Sequence, residues 1–189
     1  PLLLTKLWQP PKPSKRVIDG QILMLGDREW VSVHTPGHTA DHLCLLEPTH
    51  GVFVSGDHVL PTITPHISGL TTQQRPLGDF LASLERMYTF DDVQVVLPAH
   101  GLEFQDLAGR SKEIIEHHGM RLETLTTAAV HAPENELTVP EYSKVLFKPH
   151  AWGTMADSET FAHLEHLRHL GKATARAVNG ELRYRIHHH

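Results

Sequence analysis

The chain has 189 residues, of which 40% are hydrophobic and 21% are charged, and its formal net charge is -5 with histidine counted as neutral. These values are typical of a soluble protein of one or two domains, and no apolar run is long enough to span a membrane. The mild acidity gives no support for a broad phosphate-binding surface, so charge argues against a nucleic-acid partner without excluding a local basic patch.

The two ends of the chain and its single cysteine carry little information about the fold. The opening PLLLTKLWQPPKPSK lacks the basic start and long apolar core of a signal peptide, and because the chain starts at Pro1 we expect that further polypeptide precedes it. The lone cysteine, Cys44, cannot form an internal disulfide and lies in an apolar run, which predicts a small buried side chain. We expect a cytoplasmic protein, and we interpret His187 to His189 as the remnant of an affinity tag.

Short runs rich in apolar and β-branched residues predict strands in the first hundred residues. Ile22 to Leu25 and Trp30 to His34 are separated by a Gly-Asp turn signal and predict a hairpin. A second pair surrounds Pro48 and Gly51, and a continuous apolar run further on is typical of a buried strand. These three further predicted strands are Leu43 to Glu47, Val52 to Ser55 and Val93 to Leu97.

Two helices are predicted around the last of these strands. Apolar residues recur at helical spacing from Phe80 to Tyr88, after a cap at Asp79, and predict a strand-helix-strand unit. Residues 106 to 127 have helix-compatible spacing, although Gly109 and Gly119 argue against one unbroken helix. We expect this second segment to leave the main core.

The character of the sequence changes at about residue 131, where HAPENE is polar and contains proline. Thr138 and Glu141 have capping-box spacing, a second helix follows, and Asn179-Gly180 is a type I′ hairpin signal. We therefore predict a domain over residues 1–130 and a winged-helix-like module over 131–186. Glutamates dilute the basic residues of this module, which favours a covering or subunit-contact role over binding of nucleic acid.

Three short loops, TPGHT at 35–39, SGDH at 55–58 and PAHG at 98–101, each follow a predicted strand. They carry His38, Asp57 and His100, which are metal-ligand types, and strand ends that meet at one edge of a sheet are where α/β folds build their sites. Each loop alone would be an ordinary turn. Together they predict the metal site of a hydrolase, or part of one.

The stretch from about residue 17 to 104, with TPGHTADHLCLLEPTHGVFVSGDHVL and PAHG, resembles the second half of a metallo-β-lactamase-fold hydrolase. Residues 131–186 resemble the winged-helix extension of the β-lactamase-like protein 2 branch. The resemblance implies an α/β fold, an αββα sandwich whose N-terminal half is missing from this chain. It also implies a di-zinc site, with iron or manganese as alternatives. His38 would ligate one zinc, Asp57 would bridge both as the catalytic organiser, and His100 would ligate the second.

One family motif is absent from these 189 residues: the His-x-His-x-Asp-His cluster that supplies the other four ligands. Catalytic zinc usually has three protein ligands, so three residues cannot hold two zinc ions tightly. Three explanations stay open. The chain belongs to a longer protein, which we favour, or a partner chain completes the site, or the site is degenerate.

The resemblance implies hydrolysis by a water that the zinc ions activate. We expect a small-molecule thioester or ester substrate, as in hydroxyacylglutathione hydrolases, because many β-lactamases of this fold have cysteine where Asp57 stands. A metal-dependent endoribonuclease and a non-catalytic scaffold are the alternatives.

The remaining histidines have no predicted ligand role. His34 and His42 flank His38 at four-residue distances and either support the site by hydrogen bonds or are purely structural. His58 is expected to point away from Asp57. Three others are candidate pocket residues: His66, His117 and His118.

Overall fold

Two β-sheets organise the protein in this computed structural model, which describes residues 15–132 and 136–187. Most of the opening segment, part of the predicted boundary at 131–136 and the last two residues of the predicted tag lie outside the described residues. The expectations about them therefore stay predictions.

The larger sheet has five strands: β1 (Ile22–Leu25), β2 (Arg28–His34), β3 (Leu43–Glu47), β4 (Val52–Gly56) and β5 (Val95–Pro98). They lie in chain order, with antiparallel pairing from β1 to β4 and parallel pairing of β4 with β5. The two predicted hairpins are confirmed. The fifth strand starts later than predicted because the parallel ladder begins with Val52 opposite Val95.

Four α-helices accompany the sheets: α1 (Pro76–Arg86), α2 (Leu107–Val130), α3 (Val139–Leu146) and α4 (Thr154–His169). A short 3-10 helix follows α1 at Met87–Thr89, and another follows α3 at Pro149–Ala151. Helix α1 connects the parallel strands β4 and β5, so the predicted strand-helix-strand unit is confirmed. In the described part of the chain, no helix is both long and apolar enough to cross a bilayer.

The predicted start of α1 at Asp79 is wrong. The helix begins at Pro76, whose fixed φ and missing N–H suit the first helical position. Asp79 instead lies in the first turn, where a carboxylate interacts favourably with the positive end of the helix dipole.

Helix α2 continues through both glycines that argued against it. Asp106 caps it by accepting a hydrogen bond from the Gly109 N–H (2.8 Å), which places that glycine in the first turn. The expectation that this segment leaves the main core is also wrong. Ile114 belongs to the buried cluster of the larger sheet, and Leu125 belongs to a second buried cluster in the C-terminal part.

The main core lies between the larger sheet and helices α1 and α2. Sheet residues such as Val33, Phe53 and Val96 are buried together with Phe80 of α1 and Ile114 of α2. Helices thus cover one face of the sheet. The described residues form one β layer and one α layer of the expected sandwich.

The C-terminal part contains a three-stranded sheet in the order β6-β8-β7, formed by β6 (Glu136–Thr138), β7 (Ala173–Val178) and β8 (Glu181–Ile186). The predicted capping box is confirmed, because Thr138 and Glu141 each accept a hydrogen bond from the other's backbone N–H. The predicted hairpin is confirmed as well, with positive φ at Asn179 and Gly180. The winged-helix-like assignment and the division into two domains stay predictions.

Helices α2 and α4 meet at a pair of fully buried histidines, His118 and His163. His163 Nδ1 donates to the carbonyl oxygen of Glu159 (2.8 Å), which leaves its Nε2 to accept from His118 Nδ1 (3.0 Å). Burial lowers the pKa of His163 to about 4, and burial with the neighbouring His163 ring lowers the pKa of His118. Both rings are therefore neutral near pH 7.

Replacing His118 with glutamine should weaken the dependence of stability on pH. An unfolded histidine titrates near about 6.5, so below that pH the unfolded state binds more protons than the folded state and stability is lost. The loss is up to about 1.4 kcal/mol per pH unit for each histidine that stays neutral when folded. Urea unfolding measured from about pH 7.5 to about pH 5 should therefore give a shallower fall for His118→Gln than for the wild type.

The matched control is His169→Gln, because His169 lies on α4 but is exposed. It should keep the wild-type pH dependence. Equal slopes for His118→Gln and the wild type would contradict the assignment.

Candidate metal centre

Strand direction brings the three predicted loops to one edge of the larger sheet. Strand β3 is antiparallel to both β2 and β4, so β2 and β4 run in the same direction, and β5 is parallel to β4. The carboxyl ends of β2, β4 and β5 therefore lie at one edge. His38, Asp57 and His100 follow these three ends.

The two imidazoles face different oxygens of the same carboxylate. His38 Nε2 lies 4.0 Å from Asp57 Oδ2, and His100 Nε2 lies 3.3 Å from Asp57 Oδ1. The structure thus places the three predicted site residues side by side. His100 is the most open of them, with 67% of its side chain exposed.

A backbone carbonyl fixes the orientation of the His38 ring. His38 Nδ1 lies 2.8 Å from the carbonyl oxygen of His66, and because a carbonyl only accepts, Nδ1 carries the proton. In the neutral ring, Nε2 is then left with a lone pair and faces Asp57. Metal-binding histidines usually have their other ring nitrogen held by such a partner.

Close packing holds the turn before His38 in place. Gly37 has a φ of 145°, and a Cβ atom at this position would lie 2.3 Å from Phe80 Cβ. Phe80 is itself fully buried in the main core. The backbone of the TPGHT loop therefore rests directly on helix α1.

His42 connects the His38 loop with the Asp57 loop. Its Nε2 accepts the Asp57 backbone N–H (3.2 Å), so its Nδ1 carries a proton and donates to Thr35 Oγ1 (2.7 Å). Burial, together with the neighbouring His38, lowers the pKa of His42 and keeps the ring neutral in this role. Of the two expectations for His42, the structure agrees with the one in which His42 supports the site by hydrogen bonds.

Three other histidines make their contacts with residues other than Asp57. His34 Nε2 bonds to the Ala40 carbonyl oxygen (3.0 Å) at the surface. His58 is fully buried, with its ring 5.3 Å from that of Phe80 and 6.0 Å from that of His42. The expectation that it points away from Asp57 stays a prediction. His118 pairs with His163 in the interior and does not line the site.

Two separations of this size suit a cation between each pair of atoms. Zinc binds histidine nitrogen and carboxylate oxygen at about 2.0–2.2 Å, which holds two of its ligands roughly 3–4 Å apart. The described residues contain no group of three or more histidine, cysteine or acidic side chains within reach of one metal ion. Each pair would provide two ligands to a cation, so the donor set of the residues present fits one side of a two-metal site.

Residues 3–100 match the Metallo-beta-lactamase superfamily. The chain belongs to this superfamily. Two similar proteins are lactamase-like protein aptB of Emericella nidulans, 30% identical over 65% of the chain and 38% of that protein, and lactamase-like protein notP of an Aspergillus species, 31% identical over 72% of the chain and 40% of that protein.

Solved structures of the superfamily share the fold. A metallo-beta-lactamase family protein from Thermus thermophilus is 30% identical with a TM-score of 0.82, over 94% of the chain and 56% of that protein. A beta-lactamase domain protein from Burkholderia ambifaria is 30% identical with a TM-score of 0.83, over 93% and 53%. The likeness therefore extends into the C-terminal helices and sheet. The chain spans only about two fifths of the two curated relatives and just over half of these two structures.

Replacing Gly37 with alanine should destabilise the protein and displace His38. The added Cβ would overlap Phe80, and the backbone conformation disfavours side chains. We expect the free energy of unfolding to fall by more than about 1 kcal/mol, together with weaker zinc binding. Urea unfolding and zinc titration of the full-length protein against a competing chelator measure the two effects.

Gly20→Ala is the control. Gly20 also has a positive φ, 73°, but nothing lies within 4 Å of an added Cβ, so this variant introduces backbone strain without a steric clash. This control should lose some stability and keep its zinc affinity. If the two variants bind zinc equally well, Phe80 does not hold the His38 loop.

Proposed function

We propose that the chain carries one side of the two-metal site of a hydrolase, with His38, Asp57 and His100 as ligands and Asp57 as the bridge. The observation that supports this most directly is the placement of two imidazole Nε2 atoms against the two different oxygens of the Asp57 carboxylate. Superfamily membership supports a hydrolase-type activity. In this proposal the remaining ligands come from polypeptide outside these residues, either the preceding part of a longer chain or a partner chain.

The residues of this chain prepare the site in two ways. The carbonyl of His66 holds the proton of His38 on Nδ1, so Nε2 is available to a cation. His42 fixes the backbone of Asp57, so the carboxylate is held between the two imidazoles. Zinc ions, or iron or manganese in their place, would supply a water activated near neutral pH and an electrophile for the substrate carbonyl.

A small-molecule thioester or ester is the proposed substrate class. An aspartate stands in the bridging position where cysteine is found in many β-lactamases of this fold. Two basic side chains of the C-terminal sheet also share an acidic partner: Arg176 lies 2.7 Å and Arg185 lies 3.0 Å from the Glu136 carboxylate. Such pairing offsets the positive charge that binding of nucleic acid would need.

Asp57→Ala in the full-length protein should abolish hydrolysis of the true substrate. Loss of groups that merely support a metal ligand reduces activity by 10–100-fold, so loss of the bridge should reduce it by more than about a hundredfold. Thiol release from acylglutathione and acyl-coenzyme A panels, set against cleavage of single-stranded RNA, measures the activity and ranks the two enzyme classes.

The exposed Asp91 provides the control, and Asp91→Ala should keep wild-type rates. Full activity in Asp57→Ala would show that the site is assigned wrongly. Less than about one equivalent of bound metal in the purified full-length protein would favour the non-catalytic scaffold.

Metal affinity should fall in acid. A protonated imidazole cannot bind a metal ion, and an ordinary histidine protonates below about 6.5. We therefore expect zinc affinity and hydrolytic activity to fall together as the pH drops below that value. A zinc affinity that stays flat between about pH 8 and about pH 5 would contradict histidine ligation.

A further inference from the structure

We propose that Glu159, on helix α4 of the C-terminal part, is a positioning residue for the metal centre. It acts through His66, whose backbone fixes the ring of His38. The inference rests on the proposed function in that His38 is taken as a metal ligand, whereas the contacts that carry it belong to the protein alone.

The first contact joins His38 to the segment between β4 and α1. His38 Nδ1 donates to the carbonyl oxygen of His66 at 2.8 Å. This single hydrogen bond selects the ring tautomer, because without it either nitrogen could carry the proton. The position of the His66 backbone therefore decides whether His38 faces Asp57 with a lone pair.

The second contact joins the same residue to α4. His66 Nδ1 lies 3.2 Å from Glu159 Oε2, and the other oxygen of Glu159 pairs with Arg121 of α2. Glu159 is only 8% exposed. Burial raises the pKa of Glu159, but the hydrogen bond from His66 and the charge of Arg121 outweigh it, so the net pKa lies below its ordinary value. An ionised carboxylate only accepts hydrogen bonds, so His66 Nδ1 is the donor.

Close backbone packing supports the same connection. The Gly69 N–H donates to the Ser158 carbonyl oxygen at 2.9 Å, next to the position of Glu159 on α4. A Cβ at Gly69 would lie 2.6 Å from the Ala162 backbone nitrogen and 2.6 Å from Phe161 Cδ1. Residues 66–69 therefore rest directly on α4, and Glu159 holds the end of this segment nearest to His38.

A purely structural role would not require the contact with His66. Glu159 also pairs with Arg121, as Glu165 pairs with Arg168 six residues further along the helix. The Glu165 carboxylate accepts hydrogen bonds from the Tyr184 hydroxyl and from Arg168. It contacts none of His38, Asp57 and His100. Glu165 therefore provides a matched control for loss of a partly buried acid from the same helix.

Nitrogen-15 NMR of the histidine rings in the metal-free protein tests the inference without any need for activity. In the wild type we expect His38 in the Nδ1–H tautomer. In Glu159→Ala and in His66→Ala, the His66 backbone is released and His38 should move toward the Nε2–H tautomer that free histidine prefers. Glu159→Gln keeps an oxygen that can accept from His66 and should restore the wild-type tautomer.

Zinc affinity of the full-length protein, measured with a competing chelator, provides a second readout. Loss of a partner that orients a metal ligand weakens binding by about 10–100-fold, and we expect this range for Glu159→Ala and His66→Ala. The double variant should be no weaker than either single variant, because both remove the same connection. Glu165→Ala should lose stability and keep both the tautomer and the affinity.

The outcomes separate this inference from the proposed function. If Glu159→Ala is folded and keeps the His38 tautomer and the zinc affinity of the wild type, the inference is wrong while the hydrolase proposal stands. If the tautomer shifts as expected but the full-length wild type binds no metal, the positioning contact is real and the hydrolase proposal fails. A loss of zinc affinity as large in Glu165→Ala as in Glu159→Ala would also overturn the inference.

Discussion

The carboxylate of Asp57 is the feature on which the site depends, since each of its oxygens faces a different imidazole. The arrangement requires three loops that are far apart in the sequence to end at one edge of the sheet. The antiparallel return through β3 and the parallel crossover through α1 achieve this, because they give β2, β4 and β5 a common direction. The chemistry of the site therefore follows from strand order.

Hydrogen bonds from outside the three loops convert this proximity into orientation. His42 fixes the backbone at Asp57, and the carbonyl of His66 fixes the ring of His38. Behind them, Thr35 and Glu159 are buried and have polar partners, which is the condition under which such groups rigidify a site rather than destabilise it. The C-terminal part belongs to this support, through the contact of Glu159 with His66.

Local patterns predicted much of this structure. The hairpins, the capping box at Thr138 and the three site loops all depend on residues close together in the sequence, and the structure contains them. Tertiary contacts between residues distant in the sequence determine the features that local patterns did not predict. Helix α2 passes through Gly119 because Ile114 before it and Leu125 after it are buried in two clusters, and this burial outweighs a weak helix propensity. The His66 to Glu159 contact spans 93 residues, and no periodicity or motif marks either partner.

Helix α2 also has a consequence for how the molecule unfolds. Its first half contributes Ile114 to one buried cluster and its second half contributes Leu125 to the other. If α2 detaches from one cluster, apolar surface of the other cluster is exposed as well. The helix therefore transmits a local opening from one cluster to the other. Such sharing favours unfolding of the two halves of the described fold as one cooperative unit.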